Sequence, residues 1–461
     1  LMPLILPGNV GSATATTGYD VANSLRFNSG SSDYLNFSQG NGNRRTFTWS
    51  SWVKRAALGT GQMIWHCNNV GHYSYFYFHT DDTLHYYDID GSTQTVDYKT
   101  NRLFRDPSAW YHLVLRVDTT QASSGDRIRI YVNGVQETSF SASQTPSQNT
   151  DLEMNVSGHT FRIGTYNNSS LWFDGYLAEC VFCDGQSLAP TSFGEFDSDS
   201  SNIWKPIDVS DLTFGTNGFY LDFEDSSALG NDVSGENNDF SVGNLTSIDQ
   251  STDTCTNNFA TMNPIAFDDA GDRLLEGNLR FDGTSSSAHS LGIGTIAVNQ
   301  GKWWFEAELD AVGGTYPQIG VRSVDVNNTV ANYVGEITGG VGYFSAGGSQ
   351  IDASVAVEGG GYATYTSGDI INVGLDLDNN KIYWYKNGTL VNSGGTTITN
   401  RFYTFAVSQY SNTGHWFCNF GAGTIYSISS GNADGNGYGN FEHAPPSGYF
   451  SLCTKNLAEF G

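Results

Sequence analysis

Apolar and polar residues alternate with a period of two along most of this chain. Phe47, Trp49, Ser51 and Val53 alternate with Thr48, Ser50, Trp52 and Lys54. The same phase runs through Tyr111, Leu113, Leu115 and Val117 within Trp110–Asp118. It continues in Ile128, Ile130 and Val132, which end at Asn133-Gly134. Successive side chains of a strand point to opposite faces, so this spacing predicts strands with one apolar face. Asn-Gly at the end of such a run predicts a two-residue hairpin turn, because both residues tolerate positive φ. Thr160–Thr165 and Leu171–Phe182 read as further strands. A second β region starts near Ala266, with Lys302–Asp310, Gln318–Val321, Asp369–Asp376, Lys381–Tyr385, Phe402–Gln409 and His415–Phe420 as its clearest strands. Asn387-Gly388 again marks a hairpin. No helical period longer than a turn or two is present.

The expected fold is therefore all-β: two antiparallel β-sandwiches joined by an irregular connector. Residues 1–24 form an N-terminal arm that is small and polar after an apolar start, and 25–197 form the first sandwich. Residues 198–263 are dense in Asp, Asn, Ser and Gly and are expected to pair partly with the first sandwich, through fragments such as Gly218–Phe223. Residues 264–430 form the second sandwich and 431–461 a Gly-rich tail.

Composition narrows the function. Of 461 residues, 47 are Asp or Glu and 21 Lys or Arg, a net charge of −26. Phosphate binding needs a basic surface, so nucleic acid is excluded, and an anionic membrane surface is disfavoured. Aromatics at 14% require a buried core and argue against disorder, while 54 glycines argue against a helical protein. Leu1–Pro7 lacks the length and basic flank of a secretory signal, and no apolar run is long enough to span a membrane. The six cysteines are scattered, and Cys180 and Cys183 fall on opposite faces of one strand, which disfavours zinc or redox use. They read as buried reduced thiols of a protein that matures in a reducing cytosol.

The first region resembles a laminin-G/concanavalin A-like jelly roll through LRFNSGSSDYLNF (25–37), FTWSSWVK (47–54), WYHLVLRVD (110–118), IRIYVNGV (128–135) and FDGYLAECVF (173–182). The second resembles a SPRY domain through GKWWFEAEL (301–309), QIGV (318–321), GDIINVGLDLDNNKIYWYKNG (368–388) and FCNFG (417–421). The whole arrangement, with its LPGNV arm and the linker DTCTNNFATMNP (253–264), resembles structural proteins of tailed, marine-type bacteriophages. That resemblance implies a non-enzymatic virion component: a fibre, spike or capsid decoration that attaches to host-surface glycans. It would be assembled in the host cytoplasm, held to other virion proteins through residues 1–24, and self-associated as a homo-oligomer. The alternatives are capsid decoration without a ligand and a carbohydrate-active enzyme on a concanavalin A-like fold.

Three groups of residues carry candidate chemistry. In HYSYFYFH, Tyr73, Tyr75, Tyr77 and His79 share one strand face, and Phe76 and Phe78 share the other. Exposed rings suit a sugar, whose apolar hydrogens lie against them while polar tips form hydrogen bonds. Asp225, Asp232 and Asp239 lie in an acidic, Asn-rich stretch that offers oxygen ligands to Ca2+, although such clusters also build turns. No motif requires any other cofactor. Glu306, Glu308 and Asp310 share a face as a glycosidase pair would, but the polar outer face of an antiparallel strand accounts for them. His112 reads as a hydrogen-bonded framework residue. By family analogy, the loops Gly313–Tyr316 and Asn327–Tyr333 form ligand rims.

Overall fold

A computed structural model of the chain describes residues 5–6, 18–266, 273–283, 289–313, 317–326, 333–336, 338–351, 361–423 and 425–461. The chain divides into two compact units, Ala15–Thr256 and Leu1–Thr14 with Asn257–Gly461. Each is built of antiparallel sheets, and the fold is all-β with two sandwiches.

In the first unit, one sheet runs in the order Val135–Gln136, Ile128–Val132, Tyr111–Asp118, Thr46–Arg55, Gly175–Asp184, Ser24–Phe27, Gln250–Ser251, with Phe219–Leu221 also on Gly175–Asp184. The other runs Phe140–Gln144, Thr93–Leu103, Thr83–Asp90, His72–Phe78, Gln62–Asn69, Thr160–Ile163, Tyr34–Ser38, Ser241–Gly243. Phe47, Trp49, Val53, Leu113, Leu115 and Val117 enter the core between them, as the alternation required. Asn133 (φ 49°) and Gly134 (φ 76°) make the expected turn. A Cβ on Gly134 would sit 2.3 Å from the Trp204 ring, so glycine is needed there for space as well as for φ.

The first sheet is covered on its outer face too. Trp52, Trp110, Tyr176 and Ala178 pack with Val21 and Trp204. Val114, Tyr131, Val181 and Cys183 pack with Phe193, Val209, Phe214 and Tyr220. All ten residues of Gly175–Asp184 are therefore buried. Much of this cover comes from the stretch expected as a connector, which also adds two strands to this sheet and one to the other. Lys54 Nζ pairs with Asp253 Oδ2 at 2.6 Å, fully buried, and pins its far end. Among the described residues, the outer face of the second sheet has no such cover.

Cys180 joins the core while Cys183 packs on the opposite face. All six cysteines are free thiols, five of them buried.

The second unit centres on Lys302–Ala311. Its sheet runs Arg273–Leu275, Arg280–Asp282, His415–Asn419, Lys302–Ala311, Asp369–Asp376, Lys381–Lys386, Thr389–Leu390. The facing sheet runs His289–Ile293, Tyr403–Tyr410, Gln318–Ser323, Gly340–Phe344, Gly348–Ile351. Trp303, Phe305, Leu309, Trp384 and Trp416 fill the space between them.

The stretch 431–461, read from sequence as a tail, is built into this unit. Phe450–Ser451 pairs in parallel with Trp303–Trp304, and Leu452 and Leu457 enter the core ahead of and within the short helix Thr454–Phe460. Of the leading residues, Ile5 bridges Ile296 and packs on the second unit's core, whereas Tyr19 and Val21 pack in the first unit.

Candidate functional site

The uncovered face of the first unit's second sheet is where side chains converge. A register shift between Met63 and Trp65 sends Trp65 and Cys67 into the core and leaves His66 and Asn68 facing outward. Across the strands, Asn36, Arg162, His66, Tyr75, Tyr87 and Asp97 then stand directly opposite one another in a single row. A second row places Asn68 beside Tyr73 and Ile89, and a third places Tyr77 beside His85 and Lys99.

The rings form a continuous, half-buried platform. Tyr75 stacks on Tyr73 (centroids 5.7 Å, 18°) and on Tyr87 (5.2 Å, 22°), and meets Tyr77 edge-on at 5.2 Å. Tyr77 lies 6.0 Å from His79. Burial, together with the neighbouring phenols, pushes the Tyr75 hydroxyl well above its ordinary value, and burial beside Asp81 and Asp97 takes Tyr77 up to about 12. These hydroxyls remain protonated and can donate at any physiological pH.

Polar groups frame the rings. His85 Nε2 meets Asp97 Oδ1 at 2.6 Å, and its Nδ1 lies 3.1 Å from the Tyr77 hydroxyl. The carboxylate takes the ring N–H, so Tyr77 donates to Nδ1. Tyr87 donates to Gln94 Oε1 (2.8 Å), and Gln94 Nε2 donates to Asp97 Oδ2 (2.9 Å). On the opposite flank, Arg162 donates to Asn68 Oδ1 (2.5 Å) and Asn168 Oδ1 (2.9 Å). The loop that carries Asn168 is turned tightly, with Asn167 and Asn168 at φ 57° and 55°.

His66 differs from these frame residues. Its side chain is fully buried beneath Tyr166, with ring centroids 4.4 Å apart, and neither ring nitrogen has a hydrogen-bond partner among the described residues. Burial first, and then the Arg162 charge, holds it down to about 3, so the imidazole is neutral. A neutral imidazole has one donor and one acceptor, and leaving both unmet in a buried position costs free energy.

Tyr73, Tyr75, Tyr77 and His79 stand together on this face, with Phe76 and Phe78 opposite them in the core. His85 and Tyr87 follow the same alternation in TLHYYDID, a signal that the strands read from sequence do not include. His66, Arg162 and Tyr166 depend on a register shift, a sheet neighbour and a loop, which no local pattern announces.

Asp225, Asp232 and Asp239 instead serve the chain's own turns. Asp225 Oδ1 accepts from the Ser227 amide (2.9 Å) and hydroxyl (2.6 Å). Asp232 accepts from the amides of Tyr220, Ser234 and Asn238, each at 2.9 Å. Asp239 accepts from the Asp232 amide at 2.9 Å. With their oxygens engaged by N–H donors, the three do not converge as a ligand set. Among the described residues, the group whose ligand atoms do converge is His72, Asp90 and Glu153.

The acidic strand also departs from its expected solvent-facing form. Glu308 and Asp310 are partly or fully exposed, but Glu306 is buried. Its Oε1 accepts from Tyr426 (2.7 Å), Asn419 Nδ2 (2.9 Å) and the Glu442 amide (2.8 Å). Its Oε2 accepts from Asn372 Nδ2 (2.9 Å) and the His443 amide (3.3 Å). The returning C-terminal chain covers this face, so Glu306 acts as a structural anchor. His112 is the expected framework residue, between Ser50 Oγ (2.9 Å) and Trp204 Nε1 (3.0 Å). The two proposed loop rims fall largely outside the described residues.

Fold and site thus define a pair of antiparallel β-sandwiches, one of which presents a ring platform. Comparison with known families agrees: residues 29–187 match the family described as the Concanavalin A-like lectin/glucanases superfamily, and residues 302–416 match the SPRY domain. No curated protein matches the chain. Among solved structures it is similar to a human SPRY domain, at 16% identity over 32% of this chain and 94% of that one, TM-score 0.26. It is similar to a heptameric pentraxin from Limulus polyphemus, at 16% identity over 37% and 80%, TM-score 0.28. It is also similar to a protein from Bacteroides ovatus described as a candidate carbohydrate binding protein, at 14% identity over 49% and 59%, TM-score 0.35.

Proposed function

We propose that this chain is a non-enzymatic, adhesive structural protein that binds glycans on the outer face of its first sandwich. The observation that carries this reading is the Tyr73–Tyr75–Tyr87 stack, lying open on a sheet face and framed by Asp97, His85, Asn68 and Arg162. Flat rings take the apolar hydrogens of a pyranose while framing groups take its hydroxyls. The lectin-type family match to residues 29–187 supports the reading.

The finer part of the proposal is a place in a tailed-phage virion, as a homo-oligomeric fibre, spike or decoration anchored through residues 1–24. It rests on the resemblance of the LPGNV arm and the 253–264 linker.

The test is binding of the intact protein to an array of bacterial surface and capsular polysaccharides. Wild type is expected to retain at least one glycan, with Tyr75→Ala/Tyr87→Ala weakened tenfold or more and Tyr75→Phe close to wild type. No binding, or equal binding by the double variant, overturns the glycan reading. Cleavage of the bound glycan overturns its non-enzymatic half. Absence from purified virions by mass spectrometry overturns the virion half alone.

A further inference from the structure

Arg162 differs from the other cation of the ring platform. Lys99 is paired, its Nζ lying 2.7 Å from Asp81 Oδ2. Arg162 is held by neutral acceptors only. Its Nε donates to Asn168 Oδ1 (2.9 Å), and its Nη1 to Asn68 Oδ1 (2.5 Å) and the Thr160 carbonyl (3.2 Å). Among the described residues no carboxylate reaches it, in a chain with 47 acidic and 21 basic residues. Its Nη2 donates to none of the described residues and is not sealed from solvent. A guanidinium stays charged throughout the pH range of a folded protein. The face therefore carries one fixed positive charge with unused N–H groups at its outer end.

The place of this charge on the sheet matters as much as its lack of a partner. Thr160–Ile163 lies between Gln62–Asn69 and Tyr34–Ser38. On the first side, Tyr166 covers His66 and meets Tyr75 edge-on at 6.4 Å, which extends the Tyr73–Tyr75–Tyr87 stack towards Arg162. On the second side, Leu35 enters the core, so Tyr34 faces outward, with the Trp172 ring 6.1 Å away. Both of these rings are half-buried. Arg162 thus has aromatic rings on either flank. Asp97 closes the row four strands away, about 19 Å at about 4.8 Å per strand, and its oxygens are engaged by His85 and Gln94.

A pyranose stacked on a phenol ring lies flat, so a carboxylate carried by that sugar projects sideways along the sheet. One free nitrogen suits one carboxylate oxygen. A sulfate or phosphate ester spreads its charge over three oxygens and calls for more donors than Nη2 supplies. The net charge of −26 does not oppose such a ligand at this spot, because exposed charges beyond about 8 Å are screened at physiological salt.

We propose that the glycan is acidic, and that Arg162 selects it by binding a sugar carboxylate between the two groups of rings. This inference rests on the glycan reading above and narrows it to uronate-type polymers.

Uronate-containing polysaccharides are arrayed beside the same polymers after reduction of their carboxyl groups to alcohols, together with neutral and sulfated polymers. The intact protein is expected to prefer at least one acidic polymer over its reduced form tenfold or more, and to lose that preference as sodium chloride is raised. Arg162→Gln should bring the ratio close to one, whereas Arg162→Lys, which keeps the charge, should retain part of it. The wild-type comparison needs no variant, so it is decisive even where Arg162→Gln fails to fold. Binding confined to neutral or sulfated polymers, equal binding of acidic and reduced forms, or an unchanged ratio in folded Arg162→Gln overturns the acidic assignment and leaves the ring platform standing. No binding to any polymer, or binding indifferent to Tyr75→Ala/Tyr87→Ala, overturns the platform reading and this inference with it.

Discussion

Glu306 shows how one buried side chain can organise a whole segment. Five donors converge on its two oxygens, two of them backbone amides of the returning chain at Glu442 and His443. Burial outweighs these bonds and raises its carboxyl to about 7. A carboxyl with a raised folded-state value binds more protons folded than unfolded over that interval. Its contribution is therefore fully present below the unfolded value of 4.5 and is lost as pH rises towards 7. Below that value Glu306 is protonated and neutral, as a glutamine amide is, so Glu306→Gln is expected to change stability in denaturant unfolding by less than about 1–3 kcal/mol at acidic pH. The difference in stability between acidic and neutral pH should also shrink. An unchanged pH slope in the variant would falsify the assignment. The residue was visible in GKWWFEAEL, but its burial was not. The chain that covers it comes more than a hundred residues later, and alternation reports a phase, not what packs on either side.

At the level of elements, the short strands of the connector were the least legible. Phe219–Leu221, Ser241–Gly243 and Gln250–Ser251 are three, three and two residues long, too short to show a period. Yet they lie on both sheets, and the 198–256 stretch supplies Trp204, Val209, Phe214 and Tyr220 to the outer cover and Leu221, Phe223 and Phe240 to the core. A fragment of residues 18–256 is expected to unfold in one cooperative transition, and a fragment of residues 18–197 to lack one and bind a hydrophobic dye. Cooperative melting of the shorter fragment by calorimetry would remove the connector from the folding unit. The long strands, by contrast, were plain from sequence. Thr46–Arg55 and Tyr111–Asp118 carry enough residues for the phase to be unmistakable, and the tolerance of Asn-Gly for positive φ marked the hairpins after Ile128–Val132 and Lys381–Lys386.

For the molecule as a whole, charge is the property that sequence states without ambiguity. A surplus of 26 negative charges repels itself more strongly when the chain is compact than when it is unfolded. Added monovalent salt screens that repulsion over roughly 10 Å at about 0.1 M, so the melting temperature is expected to rise with ionic strength. A melting temperature that falls on adding sodium chloride would show that paired charges such as Arg26–Asp249 and Arg55–Asp82 dominate instead. The burial of both sides of one sheet has its own consequence. With chain packed over that side, the first sandwich has a single bare sheet face to offer among the described residues. That sandwich alone is then monovalent, and any avidity it gains for a repetitive polymer must come from the number of copies displayed.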